Sequence, residues 1–271
     1  MQHTIGIVST VQDIKFFTQG YFRTVLAGAG KQISGRDCSM RLVSLTHQEF
    51  STAESARALL AAQKCDAILV VAPHEIFLPT ILALCNDMPG VIISPPRLDL
   101  SVSFVASDNY GAGRTVIAHL IGRGYRQLHV LQPYPLSGDF WERERGYRDG
   151  AASLGADLTV TSIRYPIDEA QVEKIVMHEP QVIIAPSDND ALPILHYLRK
   201  RGLRVPDDIA LVGFDDEEFA AETDPPLTTV RQPIADLAAS ATAYLIDRLH
   251  GGANRVHQEM LPNTLVVRGS A

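Results

Sequence analysis

The sequence predicts an α/β protein built as two doubly wound lobes, each a parallel sheet covered by helices, with a ligand cleft between them. Three observations carry that expectation. Short apolar runs alternate with stretches of helical periodicity along almost the whole chain. These runs are near-continuous Val, Ile and Leu, as in strands buried on both faces. Their number, about nine to ten, exceeds what one sheet usually carries.

Taken in order, strands are expected at 4–9, 41–45, 66–71, 90–93, 103–106, 127–131, 159–164, 181–184 and 209–212. Helices are expected at 15–28, 52–63, 111–123, 141–154, 169–178 and 190–201. Gly213 lets the chain turn at the carboxyl end of the last strand. The rhythm restarts near Ser103, after the turn-rich Ser94-Pro95-Pro96-Arg97. The periodic stretch 234–250 can pack back on the first lobe. The expected division is therefore 1–104 plus 233–255 for one lobe and 105–232 plus 256–271 for the other.

With 271 residues, 46% apolar and 20% charged, the composition is that of a soluble globular protein. The net charge of −7 argues against a nucleic-acid surface, which needs a concentrated positive face. The densest basic run, Arg199-Lys200-Arg201, falls in the last turn of an expected helix, where it complements the helix dipole. Cys38, Cys65 and Cys85 have neither the pairing nor the spacing of a disulfide framework or a zinc site, and read as buried thiols in a reducing cytoplasm. No segment has the length of a membrane span. The start runs directly into a strand, without a basic region or an apolar signal core. No G-x-S-x-G elbow, P-loop or H-E-x-x-H motif is present, so no catalytic residue, metal or cofactor is expected. Gly111-Ala112-Gly113 lacks the third glycine of a dinucleotide fingerprint and reads as a tight helix start. His119, inside that helix, reads as a packed histidine.

Several segments, in order, carry a resemblance. They are Asp108-Asn109-Tyr110-Gly111-Ala112 with His119-Leu120 and Gly124-Tyr125-Arg126; Arg143-Glu144-Arg145-Gly146-Tyr147; Gly202-Leu203 to Val205-Pro206; Val212-Gly213-Phe214-Asp215-Asp216; Pro225 to Pro233; and Leu261-Pro262 to Arg268. Together they resemble the effector core of the LacI/GalR family of bacterial transcription regulators. The resemblance implies the periplasmic-binding-protein-like type I fold, a small sugar-like effector and a homodimer. It also implies operator DNA contacted only through an N-terminal helix-turn-helix portion of about 60 residues that this sequence lacks.

Ligands of doubly wound sheets bind outside the carboxyl ends of the strands, so residues just after each strand are the candidates. Thr10 follows the first strand. Phe16 and Phe17 stand where the family places an aromatic or apolar wall, one of them facing the core. His47 and His74 follow strands and face either the cleft or the surface. Ser94, with Pro95, replaces the family's Asp-Arg and removes a carboxylate from the expected cleft. Arg143 matches the family's effector-contacting arginine, whose planar fork holds two oxygens at once; the alternative is a solvated charge run with Glu142, Glu144 and Arg145. Tyr165 takes the place of a stacking aromatic. Ser187 replaces an asparagine, leaving Asp188 as a helix cap. Asp215 suits hydroxyl or N–H donors, while Asp216 caps the short helix that follows.

The expected function is therefore effector sensing by a transcription regulator, without chemistry. A rival is an exported sugar-binding protein of a transport system, against which the absent signal peptide and the Pro225–Pro233 segment count. A second rival is an α/β enzyme acting on sugars or nucleosides.

Overall fold

The computed structural model describes residues 2–9, 20–44, 46, 48–133 and 138–271. Four candidate residues, Thr10, Phe16, Phe17 and His47, lie outside them. The chain begins β1 (His3–Ser9), α1 (Gly20–Ile33), β2 (Cys38–Ser44), α2 (Ala53–Ala62), β3 (Ala67–Val71), α3 (Leu78–Asp87), β4 (Gly90–Ile93), β5 (Phe104–Ser107). It continues α4 (Asn109–Gly122), β6 (Gln127–Pro133), α5 (Gly138–Leu154), β7 (Asp157–Ile163), α6 (Glu169–Val176), β8 (Val182–Ile184), α7 (Asp188–Lys200), β9 (Ala210–Val212). It ends β10 (Thr229–Arg231), α8 (Ile234–Leu249), β11 (Gln258–Leu261), β12 (Thr264–Val266).

Two compact units result. The first comprises Met1–Ser107, Ser137–Asp139 and Pro233–Leu261; the second comprises Asp108–Leu136, Phe140–Gln232 and Pro262–Ala271. In the first, six strands form one sheet in the order β11-β5-β4-β3-β1-β2, every pair parallel. The strand side chains alternate between two cores, because successive residues of a strand point to opposite faces. Ala67, Leu69 and Val71 face one core with Phe22 of α1 and Leu237, Ala241 and Leu245 of α8. Ile68 and Val70 face the other with Leu60 of α2 and Ile81 of α3. Burial on both faces explains why β3 reads Ala-Ile-Leu-Val-Val without a polar break.

The second unit repeats the design with four parallel strands in the order β7-β6-β8-β9. Leu128, Val130, Val182, Ile184, Ala210 and Val212 pack against α4 and α5. Leu131, Ile183 and Leu211 pack on the other side with α6 and α7. A small antiparallel pair, β10 with β12, sits beside this sheet, and its strands are absent from the sequence-based expectation.

The structure moves two edges of the expected division. Residues 104–107 form β5 beside β4 in the first sheet, and 258–261 form β11 beside β5. Only Pro262–Ala271 of the last segment belongs with the second unit. Helix α1 runs to Ile33, past its expected end at Gly28. Gly28 does not terminate the helix. It permits a close approach to α8, where a Cβ would fall 2.2 Å from the Ala235 carbonyl oxygen.

Candidate functional site

Around the carboxyl ends of β6–β9 the second unit gathers buried charge. Arg143 stands on α5 and is only 5% exposed, which settles against a solvated charge run. Its charged neighbours satisfy each other at the surface instead. Glu142 pairs with Arg145 at 2.7 Å and Glu144 with Arg148 at 2.5 Å, one helical turn apart. Two glycines place Arg143 by letting α4 and α5 touch. A Cβ on Gly146 would lie 2.2 Å from the Tyr110 carbonyl oxygen, and one on Gly113 would lie 2.5 Å from that of Arg143. Gly146 follows Arg143 by one helical turn, so the close seam and the arginine share one face of α5.

The guanidinium is fixed on three sides. Its Nε and Nη2 donate to Asn109 Oδ1 at 3.3 and 3.2 Å, and Nη1 donates to the Pro186 carbonyl at 2.8 Å. Its plane rests on Phe214, 3.2 Å from the ring centroid, with Phe140 at 4.8 Å. A guanidinium carries five N–H groups, so one N–H on each terminal nitrogen has no acceptor among the described residues. Among the described residues no carboxylate forms an ion pair with Arg143.

Asp215, three residues past β9, has φ +105°, and Asp216 has φ +57°. This backbone is costly for residues with a Cβ. It is held by Asp215 N–H donating to Val230 O at 2.8 Å. The half-buried Asp215 carboxyl accepts from Gln232 Nε2 at 2.8 Å. Burial raises its pKa, opposed by the charge of Arg143 and by the Gln232 bond. Arg143 and Asp215 therefore feel one another without closing into a pair.

Tyr165, which follows β7, is 54% exposed and donates its hydroxyl to Asp190 Oδ2 at 3.1 Å. Burial, and after it the Asp190 carboxylate, raises the phenol pKa. Ser187 is the N-cap of α7: its oxygen accepts from Asp190 N–H at 3.2 Å, and its hydroxyl donates to Asp190 Oδ2 at 2.7 Å. Asp190 is buried and its pKa raised, with the Ser187 and Tyr165 bonds opposing. Fields link these groups, since Asp190, Arg143 and Asp215 all act on Tyr165.

Two expectations change. Asp188 is not the cap of α7. It is fully buried beneath the site, accepting from Thr229 Oγ1 at 2.6 Å and Glu217 N–H at 2.8 Å. Burial pushes its pKa up to about 7 despite those two bonds, with Asp215 and Asp216 adding to the rise. Asp216 caps nothing. It is clamped by Arg231 at 2.6 Å and Arg268 at 2.5 Å, and although burial alone would raise its pKa, these bonds hold it below the ordinary value. Ser94 lies in the first unit, buried with φ +50°, its oxygen accepting from the Tyr21 hydroxyl at 3.0 Å. His74 is exposed and caps the short helix at Glu75–Phe77.

Asn109, Phe140, Phe214, Asp190 and Gln232 complete this arrangement and are not among the residues singled out from sequence. The available signals were an Asn at the first position of a helix and an aromatic directly after a strand-ending glycine. Among the described residues no group of three or more His, Cys, Asp or Glu side chains could hold a metal ion. No described helix is long and apolar enough to cross a membrane.

The buried arginine and the acids around it thus stand at the carboxyl ends of one parallel sheet, where doubly wound folds hold small ligands. In keeping with this, the family profile described as a periplasmic binding protein-like domain matches residues 117–271. The regulator CelR of Thermobifida fusca is 30% identical over 98% of this chain and 81% of its own length. A probable opine utilization operon repressor of Rhizobium rhizogenes is 33% identical over 60% of this chain and 90% of its own. The structure of a CelR–cellobiose complex superimposes with a TM-score of 0.85 at 27% identity, covering 99% of this chain and 84% of that one. The chain belongs to the LacI/GalR family of transcription regulators, not to a family of enzymes.

Proposed function

We propose that this chain is the effector-binding and dimerisation portion of a cytoplasmic LacI/GalR-type regulator, and that its effector is a sugar or sugar derivative. One observation carries the reading. Arg143 is buried and, among the described residues, is held by neutral oxygens alone and keeps an unused N–H on each terminal nitrogen. A buried charge without a partner is costly, and a fork of two parallel donors suits two adjacent ligand oxygens. Asp215 and Asp190 supply acceptors nearby for hydroxyl donors. The similarity to CelR, whose solved complex holds cellobiose, supports a carbohydrate.

In this reading the effector prefers one state of a homodimer and shifts the population towards it. Operator DNA would be contacted by a helix-turn-helix segment outside this sequence, consistent with the net charge of −7. Thermal unfolding with a panel of neutral sugars, sugar phosphates, sugar acids and nucleosides tests the proposal, because a ligand that binds only the folded state raises the melting temperature. A shift with a sugar that is lost in Arg143→Ala supports it. A shift confined to nucleosides, or a ligand converted to product, overturns it.

A further inference from the structure

Beside Arg143 stands a polar group that the site described above does not use. Gln132 is the penultimate residue of β6 and is 4% exposed. Its Nε2 is fully buried and, among the described residues, has no hydrogen-bond partner. Strand parity puts Gln132 in one row with Leu128 and Val130, whose face packs against α4 and α5. At the end of that row it lines a small cavity together with Phe140, Arg143, Glu144 and Tyr147 of α5 and with Pro186. The unused N–H groups of Arg143 and the unpartnered amide of Gln132 thus belong to side chains that line one cavity.

Buried amide donors are almost always satisfied. A glutamine flanked by apolar row-mates, its buried donor unpartnered among the described residues, points to a partner that arrives with the ligand. The charge around the site indicates its nature. Three carboxyls, Asp188, Asp190 and Asp215, all have pKa values raised chiefly by burial, and each of the first two is raised further by Asp215. An additional anion would worsen that crowding. A neutral polyhydroxylated ligand would not: its hydroxyl oxygens accept from donors while its hydroxyl protons go to the acids.

We propose that Gln132 is a specificity-determining residue that donates its Nε2 N–H to a hydroxyl or ring oxygen of a neutral sugar, next to the oxygen held by Arg143. The proposal rests on the sugar-sensing reading above and extends it by naming a second donor and an uncharged ligand class. Gln132 then discriminates between sugars that place an oxygen at this point and deoxy or epimeric relatives that do not.

The test uses Gln132→Met, similar in length and without the donor. The probe is whichever of ribose, glucose, maltose and cellobiose raises the wild-type melting temperature most, with gluconate as the anionic control. Calorimetry should show affinity for that sugar lowered roughly tenfold or more. The ligand-free variant should melt at or above the wild-type temperature, since an unsatisfied buried donor has been removed. A merely structural glutamine would give the opposite stability result. Equal affinity in wild type and variant overturns the role of Gln132 alone, and shows that the amide serves the fold or a single water. Loss of stability in the variant overturns it as well. Tighter binding of gluconate than of every neutral sugar overturns the uncharged class. If none of these compounds binds the wild type, the sugar-sensing reading itself fails, and the assignment of Gln132 with it.

Discussion

Helix α7 connects two regions of the second unit that treat charge in opposite ways. At its carboxyl end every cation is exposed and paired: Arg199 with Asp224 at 2.5 Å, Lys200 with Glu169 at 2.8 Å and Arg201 with Glu173 at 2.7 Å. Just beyond, Arg204 meets Asp207 and Asp208. At its amino end lies Arg143, buried and without a carboxylate partner among the described residues, beside acids that burial pushes towards neutrality. Pairs in water cost little to make and contribute little. A lone charge in the interior is retained at a cost to stability, which in the proposed reading a bound ligand offsets. This difference in how charge is treated is what supports the proposed site.

The contrast can be broken at four places. The largest effect is expected for Arg143→Ala, with effector affinity falling roughly 100-fold or more, the scale seen when one partner of a buried charged hydrogen bond is truncated. Calorimetry measures it, and circular dichroism should show the fold intact. Arg143→Lys should bind nearly as badly, because an ammonium cannot hold the fork geometry.

Next is Gly146→Ala. Its new Cβ would meet the Tyr110 carbonyl at 2.2 Å, so α5 must shift, costing about 1–3 kcal/mol. Denaturant unfolding should show the loss, and affinity should fall with it because Arg143 rides on the same helix.

A third change sharpens the comparison through pH. The folded pKa of Asp188, about 7, lies above its ordinary value of 3.8, so the proton favours the folded state. That contribution is fully present below about pH 4 and is lost as pH rises through about 7. Asp188→Asn removes the titration. Relative to wild type, the variant should therefore gain stability between pH 4 and 7, by up to about 1.4 kcal/mol for each pH unit. Parallel slopes for the two proteins in urea titrations over that range would contradict the assignment. The smallest effect is expected at the other end of α7, where Lys200→Ala should leave the melting temperature and the effector affinity unchanged.

Much of this frame was legible in the sequence, because strands buried on both faces and amphipathic helices write periodic patterns. Strand β3 and helix α8 show this: each lies within about one residue of its sequence-based range. What was not legible depends on partners far along the chain. Strand β10 is three residues long and exists through its pairing with β12, Thr229 lying opposite Val266. No local period announces such a strand. The same holds for the site. Locally Arg143 sits in a run of charges that reads as solvated. What buries it are Asn109, 34 residues earlier, and Pro186, 43 residues later, with Phe214 beneath. The resemblance named Arg143 and Asp215, but it gave no hint that Asp188 lies beneath the site or that Asp216 is clamped by Arg231 and Arg268.

The pairing of β6 on both sides carries one further consequence. Seven residue pairs with β7 and three with β8 lock its register, with Gln132 opposite Ser162. Inserting or deleting a single residue within this strand would exchange its two rows, turning Leu131 towards α5 and Gln132 away from it. If Gln132 reads the ligand as proposed, point changes at the strand's tip retune what is accepted, whereas a frame slip scrambles the reader itself. Diversification of specificity on this scaffold should therefore proceed by replacement at strand tips and almost never by length change within β6.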